Sequence, residues 1–136
     1  MTALAADRLT ARRTGDRYSY PVAASVTCYA GAIAVLDASG NVKPAVTATG
    51  LIPVGVFVAS VTNGATAGAV NAEVEPGIYR FANSTSTDAI AAAEIGDDCY
   101  LVDDQTVAKT SGSSTRSVAG KVMNVDTAGV WVRIGI

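Results

Sequence analysis

Hydrophobic and polar residues alternate with a period of two along most of the chain after Tyr18. Turn-forming residues interrupt this alternation about every eight to twelve positions, a pattern typical of an all-β sandwich or barrel. The pattern predicts strands at residues 17–20, 26–29, 32–37, 42–45, 54–61, 69–75, 78–82, 99–102, 106–109, 117–126 and 130–134. We therefore expect an all-β fold, a small antiparallel β-barrel or sandwich, over residues 18–136.

Three short segments have the composition of tight turns between neighbouring strands. Ser39-Gly40-Asn41 and Thr127-Ala128-Gly129 predict hairpins, because Gly and Asn tolerate the positive φ angles that such turns use. Glu75-Pro76-Gly77 places Pro and Gly as in a type II turn. Since each segment joins strands that are adjacent in sequence, the sheet should be mostly antiparallel.

One segment departs from the strand pattern. After Asp88 the chain reads Ala-Ile-Ala-Ala-Ala-Glu-Ile and then reaches Gly96. Thr87 or Asp88 can cap a helix at its start, and a glycine such as Gly96 commonly ends one. The sequence thus predicts one short helix over about residues 88–95, lying with its alanine surface against a barrel mouth or a sheet edge.

Residues 1–17 differ from the rest of the chain in charge. They carry four arginines against two aspartates, whereas the remaining residues have four more acidic than basic side chains. A helix this short is marginal in isolation, so we expect an extended N-terminal arm. Two interpretations stay open: a solvated terminus, or an arm that docks on an acidic neighbour through its arginines. These arginines are Arg8, Arg12, Arg13 and Arg17.

The composition excludes several classes of function. The 136 residues include no histidine, which removes His-dependent nucleophilic and acid–base catalysis and His metal sites. No phosphate-binding glycine motif is present, so we expect no cofactor. The acidic body argues against a nucleic-acid partner. Without a long apolar run we expect no membrane span and no secretory leader, and hence synthesis in the cytoplasm.

The hydrophobic residues are numerous but small. They make up 49% of the chain, and 25 are alanine and 18 are valine. Hydrophobic stabilisation scales with buried area at roughly 25 cal/mol per Å², so such a core stabilises less per residue than a Leu- or Phe-rich one. We expect a modestly stable monomer that oligomerisation would complete.

Two acidic pairs and two cysteines are the remaining candidates for chemistry. Asp97-Asp98 and Asp103-Asp104 flank a predicted strand, so they lie about 13–20 Å apart, too far to cooperate locally as in a glycosidase. We interpret them as solvated strand ends, with a calcium site as the alternative. Cys28 and Cys99 could pair, but their positions inside strands favour buried free thiols. We expect no catalytic residue and no metal site.

Trp131 and Arg133 share one face of the last predicted strand, opposite Val130, Val132 and Ile134. If the three aliphatic residues face the core, Trp131 and Arg133 lie outside or at a subunit contact. The alternative is that Trp131 fills a core otherwise made of small residues.

The C-terminal part of the chain contains two distinctive elements, Tyr-Leu-Val-Asp-Asp-Gln-Thr-Val-Ala at residues 100–108 and Gly-Val-Trp-Val at residues 129–132. With these elements it resembles the small head decoration proteins of tailed bacteriophages, also called cement or capsid-stabilising proteins. The segments at residues 95–110, 115–122 and 125–134 carry the resemblance. Residues 50–59 and 77–81 fit the same order of elements.

The resemblance implies a β-rich virion protein on the outer surface of an icosahedral head, where it bridges neighbouring coat subunits. The implied partners are the major capsid protein and copies of the chain itself, with a trimer favoured over a dimer. Such proteins commonly have a terminal arm that reaches an adjacent subunit. We expect the contacts to involve Arg8, Arg12, Arg13, Arg17, Tyr18, Trp131 and Arg133.

Two other classes of function compete with this hypothesis. A β-sandwich that binds carbohydrate or a host surface would need a cluster of exposed aromatic side chains. An acid-dependent hydrolase would need the aspartate pairs to act together. We favour a structural protein without enzymatic activity, located on the virion.

Overall fold

The computed structural model describes residues 2–3, 5–9 and 16–135 and contains twelve strands in that part of the chain. The strands are β1 (Tyr18–Pro21), β2 (Thr27–Cys28), β3 (Ile33–Leu36), β4 (Val42–Pro44), β5 (Ile52–Phe57), β6 (Val61–Thr62), β7 (Asn71–Glu75), β8 (Gly77–Asn83), β9 (Asp98–Leu101), β10 (Thr106–Ala108), β11 (Val118–Asp126) and β12 (Gly129–Ile134). The all-β prediction is confirmed.

The strands form one open sheet, one closed barrel and one short ribbon. The open sheet has the order β1-β7-β5-β3-β4, and the barrel has the order β10-β8-β12-β11-β9. Strands β2 and β6 form the two-stranded ribbon. Pairing is antiparallel as predicted, except that β8 and β10 run parallel over two register positions. The parallel pair closes the barrel.

Strand β3, which lies inside the open sheet, is buried on both faces. In β3, Ile33, Ala34 and Val35 have no exposed surface. Ile33 and Val35 pack with the inward residues of the barrel, in what we call the barrel core. Ala34 packs on the other side with Phe57 and Val74, in what we call the second core. Alternate side chains of one strand therefore serve two cores, as the period-two pattern requires. Each buried Val or Ile contributes about 1.5–3 kcal/mol.

Two hairpins occur where the turn composition predicted them, and each begins with an aspartate. The Asp37 carboxylate accepts hydrogen bonds from the N–H groups of Ser39 and Asn41, and Gly40 adopts a positive φ of 79°. The Asp126 carboxylate accepts from the N–H groups of Ala128 and Gly129. In each hairpin the side chain of the first turn residue, an aspartate, thus stabilises the turn by accepting backbone hydrogen bonds.

The type II turn predicted at Glu75-Pro76-Gly77 is wrong. Gly77 lacks the positive φ that such a turn requires, and β7 and β8 are not paired with each other. Instead Pro76 carries the chain from the open sheet directly into the barrel. The Tyr79 hydroxyl donates a 2.9 Å hydrogen bond to the carbonyl of Glu75 and fixes this junction.

The strand predicted over residues 54–61 is two strands that belong to different sheets. Strand β5 ends at Phe57, whose carbonyl accepts a hydrogen bond from the N–H of Gly31. The Ser60 hydroxyl accepts another from the N–H of Ala30. These contacts redirect the chain so that β6 pairs with β2, which the apolar pattern did not indicate.

The helix predicted over residues 88–95 is also wrong. This region has two single 3-10 turns, Ser86–Asp88 and Ala92–Glu94. The side chain of Asn83 explains the break, because it accepts from the N–H of Ile90 at 2.9 Å and donates to the carbonyl of Ile90 at 2.8 Å. Ile90 is buried in the barrel core. In a helix over residues 88–95 the Ile90 carbonyl would accept from the N–H of Glu94, so its bond to Asn83 competes with that helix. The Ile90 N–H would lie in the first turn, where it has no partner within the helix.

Candidate docking surface

The outer face of the barrel brings together cationic and aromatic side chains from strands that are distant in sequence. Arg80 of β8 lies directly opposite Trp131 of β12, which lies opposite Asn124 of β11. We call this outward surface of β8, β12, β11 and β9 the barrel face. It contains two of the predicted contact residues, Trp131 and Arg133.

The inward residues of β12 fix the orientation of the barrel face. Val130, Val132 and Ile134 have no exposed surface and belong to the barrel core. Trp131 is half-buried and Arg133 is exposed on the opposite side. Of the two alternatives for Trp131, the structure therefore has the outward one.

Trp131 is held in place by charged neighbours. Its indole N–H donates a 3.0 Å hydrogen bond to the Asp126 carboxylate, and the Arg80 guanidinium lies 5.7 Å from the ring centroid. The hydrogen bond from Trp131, helped by the backbone N–H of Ala128, lowers the pKa of Asp126. Asp126 therefore stays ionised and keeps the indole oriented at the surface.

The second row of the barrel face carries Ile78, Arg133, Lys121 and Asp98 in adjacent register. Lys121 forms a 2.7 Å ion pair with Asp98. Gly120 allows β11 to lie close to β12 at this point, because a Cβ at position 120 would overlap the backbone carbonyl of Arg133. Within the described ranges, no carboxylate lies at ion-pair distance from Arg133. Two like charges thus face each other across β11 and β12, which is unfavourable by itself.

An open groove of about 610 Å³ runs beside this row. Its walls come from the start of β5 on one side and from β9, β11 and the end of β12 on the other. Ile52 is 57% exposed and Val118 is 39% exposed, so both present apolar surface there. The groove combines apolar walls with the charged side chains of Arg133, Lys121 and Asp98.

Of the other predicted contact residues, Arg17 and Tyr18 contact the open sheet. Arg17 stands 4.0 Å from Glu73 and 3.9 Å from Glu75 on β7. Tyr18 is half-buried on β1 and packs against the second core. Arg8 is exposed. Arg12 and Arg13 lie outside the described residues.

The aspartate pairs do not converge. Asp97-Asp98 precedes or begins β9 and Asp103-Asp104 follows it. Asp98 pairs with Lys121, and the Asp103 carboxylate accepts a hydrogen bond from the N–H of Gln105. In residues 2–3, 5–9 and 16–135, no three side chains of the His, Cys, Asp and Glu types group as metal ligands do. Cys28 and Cys99 are buried free thiols, as the sequence favoured.

Two aromatic side chains at the surface have different surroundings. The exposed Tyr29 lines a groove with Asp104 and Gln105, whereas the half-buried Trp131 lies on the barrel face beside Arg80. The cluster expected of a carbohydrate-binding module is therefore not formed by these two residues.

Sequence reasoning missed Arg80, Lys121 and Ile52 as members of this region. The signal for Arg80 was available locally, since Tyr79 and Phe81 alternate with it and face the other side of β8. Lys121 and Ile52 needed the pairing register and the packing of sheet on barrel, which sequence spacing does not contain.

No helix in the described residues is both long enough and apolar enough to cross a membrane. A scan against protein-family models and searches of curated proteins and of solved structures each found no significant match to this chain.

Proposed function

We propose that this chain is a structural protein of a tailed-phage virion that binds the outer surface of the capsid and stabilises it by bridging coat subunits. The partners would be the major capsid protein and further copies of the chain, with a trimer as the favoured assembly. The protein would be made in the bacterial cytoplasm and would end on the virion surface.

The observation that carries the proposal is the barrel face. Arg80, Trp131, Arg133 and Lys121 lie in adjacent register on paired strands of the closed barrel. Aromatic and arginine side chains are the residue types that contribute most to protein–protein interfaces. A face of this composition on a closed barrel supports recognition of another protein surface.

The location of the phage-like segments supports the same proposal. Residues 95–110, 115–122 and 125–134 build β9, β10, β11 and β12, which are four of the five barrel strands. Most of the segments that carry the resemblance thus belong to the barrel, which also carries the candidate docking surface, while residues 50–59 contain β5 of the open sheet.

Repeated attachment makes modest contacts sufficient. When several linked copies engage a shell at once, the overall affinity rises by roughly 10²–10⁴ without any new contact. An oligomer of this chain would need only a small face per copy, such as the barrel face, to bind a capsid stably.

The test is to mix the purified chain with mature heads of the virus whose genome encodes it, prepared without the chain. We expect saturable binding and a higher temperature of DNA release from the heads. An unrelated acidic protein of similar size serves as the control. Absence of saturable binding, or binding without a change in heat resistance, would contradict the proposal.

A further inference from the structure

The groove beside β5 has features that suit an extended peptide. Strand β7 pairs with β5 only at Val56 and Phe57. At Ile52 and Pro53, β5 pairs with β3 on one side, and no strand of the described chain pairs with the other side. The start of β5 therefore lines the groove without a neighbouring strand there. Because Pro53 has no N–H and the Leu51 N–H already donates to the Ser117 hydroxyl, an extended segment would be held by side chains rather than by an added strand ladder.

The opposite wall supplies a cation, Arg133, that has no ion-pair partner among residues 2–3, 5–9 and 16–135. Lys121 and Arg133 face each other across the ladder, and Asp98 neutralises Lys121 alone. The exposed guanidinium of Arg133 offers a planar pair of donors that matches a carboxylate. A carboxylate bound there would also relieve the repulsion between the two cations.

We propose that this groove binds an extended acidic segment of the coat protein, with a carboxylate on Arg133 and an apolar side chain against Ile52 and Val118. This inference rests on the proposed function and names its contact. Charge favours such a partner over a second copy in a symmetric contact, because two-fold pairing at the groove would bring two sets of Lys121 and Arg133 together.

The test compares three forms of the full chain on the same heads: wild type, Arg133→Glu and the control Lys43→Glu. Lys43 lies on β4 and does not line the groove. We expect Arg133→Glu to weaken head binding about tenfold or more, since repulsion replaces a charge-assisted contact. Lys43→Glu should stay within about twofold of wild type.

Two further measurements on the same variants keep the result interpretable. The unfolding temperature of Arg133→Glu should not fall, because a carboxylate opposite Lys121 replaces a like-charge pair. Its mass in solution should equal that of wild type. If Arg133→Glu changes the oligomeric mass, the groove holds a second copy and the inference is overturned.

The two proposals fail in different ways. If wild type binds heads and Arg133→Glu binds equally well, the groove is not the contact, but the capsid-binding function stands. If wild type itself does not bind, the proposed function fails and the inference falls with it.

Discussion

Cys28 and Cys99 each fill a place in a different core, with no exposed surface. Cys28 packs in the second core beside Phe57, and Cys99 packs in the barrel core beside Leu101. Burial raises the pKa of both thiols, and that of Cys99 rises from 9.0 to about 12, with a smaller contribution from the charge of Asp98. Both residues therefore behave as small hydrophobic side chains.

We predict that neither thiol reacts with Ellman's reagent in the folded protein near neutral pH, because the reactive thiolate is disfavoured by burial. Both should react at once in denaturing guanidinium chloride. Rapid reaction of one thiol per chain under native conditions would contradict the burial of Cys28 or Cys99, and a Cys28→Ala variant would show which one is accessible.

The same pKa shift predicts how stability depends on pH. The pKa of Cys99 is higher in the folded than in the unfolded chain, so its contribution to stability is complete below pH 9.0 and is lost as pH rises towards about 12. Urea unfolding across this range should show the decline. The decline should be smaller in Cys99→Ala, and an equal decline in both proteins would refute the assignment.

Between β8 and β9 the chain is organised by one side chain rather than by a regular element. Asn83 makes both hydrogen bonds to the backbone of Ile90, and Ile90 enters the barrel core. Each of the two 3-10 turns also has an ion pair to a later part of the chain. Lys109 lies 3.1 Å from Glu94, and Arg116 lies 3.3 Å from Asp88. The 3-10 turns thus depend on contacts with distant parts of the chain.

We predict that Asn83→Ala destabilises the protein by about 1–3 kcal/mol, because it removes two hydrogen bonds and leaves the Ile90 backbone groups without partners. The exposed Asn71 on β7 provides the control, and Asn71→Ala should change stability by less than about 0.5 kcal/mol. Urea unfolding measures both. Equal effects of the two substitutions would show that the Asn83 contact does not stabilise this segment.

Local patterns predicted the strands well and the connections less well. The alternation around Val130, Val132 and Ile134 is a local signal that tertiary packing reinforces, so it identified β12 and its two faces. The alanine-rich segment before Gly96 carried an equally strong local signal for helix. The side chain of Asn83 on β8, seven residues before Ile90, overrides that signal. Helix propensity does not show which nearby side chain will bind the backbone.

The candidate surface shows the same limit. Sequence parity placed Trp131 and Arg133 on one face, and the structure has them there. Their neighbours Arg80 and Lys121 come from other strands, and only the pairing register reveals them. Cross-strand neighbours depend on how strands align, so one chain without its fold cannot specify them.

At the scale of the whole molecule, the closed barrel and the open sheet both contribute side chains to the barrel core. The other side of the open sheet has the second core. The barrel is closed, and β9, β10, β11 and β12 supply four of its five strands. Residues 2–3, 5–9 and 16–17 are exposed. Arg17, the last of these residues, forms ion pairs with Glu73 and Glu75 of the open sheet. Because the side chains are exposed, these pairs are of modest strength.

We predict that the chain forms trimers in solution, each chain contributing 13.7 kDa. Light scattering during size-exclusion chromatography measures this mass directly. Buried apolar area drives such association, so the mass should persist at high salt. A monomer at all accessible concentrations would contradict the trimer, and a stable dimer would replace it.

The two outer strands of the open sheet are poorly suited to pairing with strands of other copies. Strands β1 and β4 have only four and three residues, and each ends in a proline, Pro21 or Pro44. Short strands with proline, and with the charge of Lys43, are poor templates for further strands. In addition, Val22, directly after β1, already bridges Val42 of β4. Both features disfavour the growth of fibrils through the margins of this sheet.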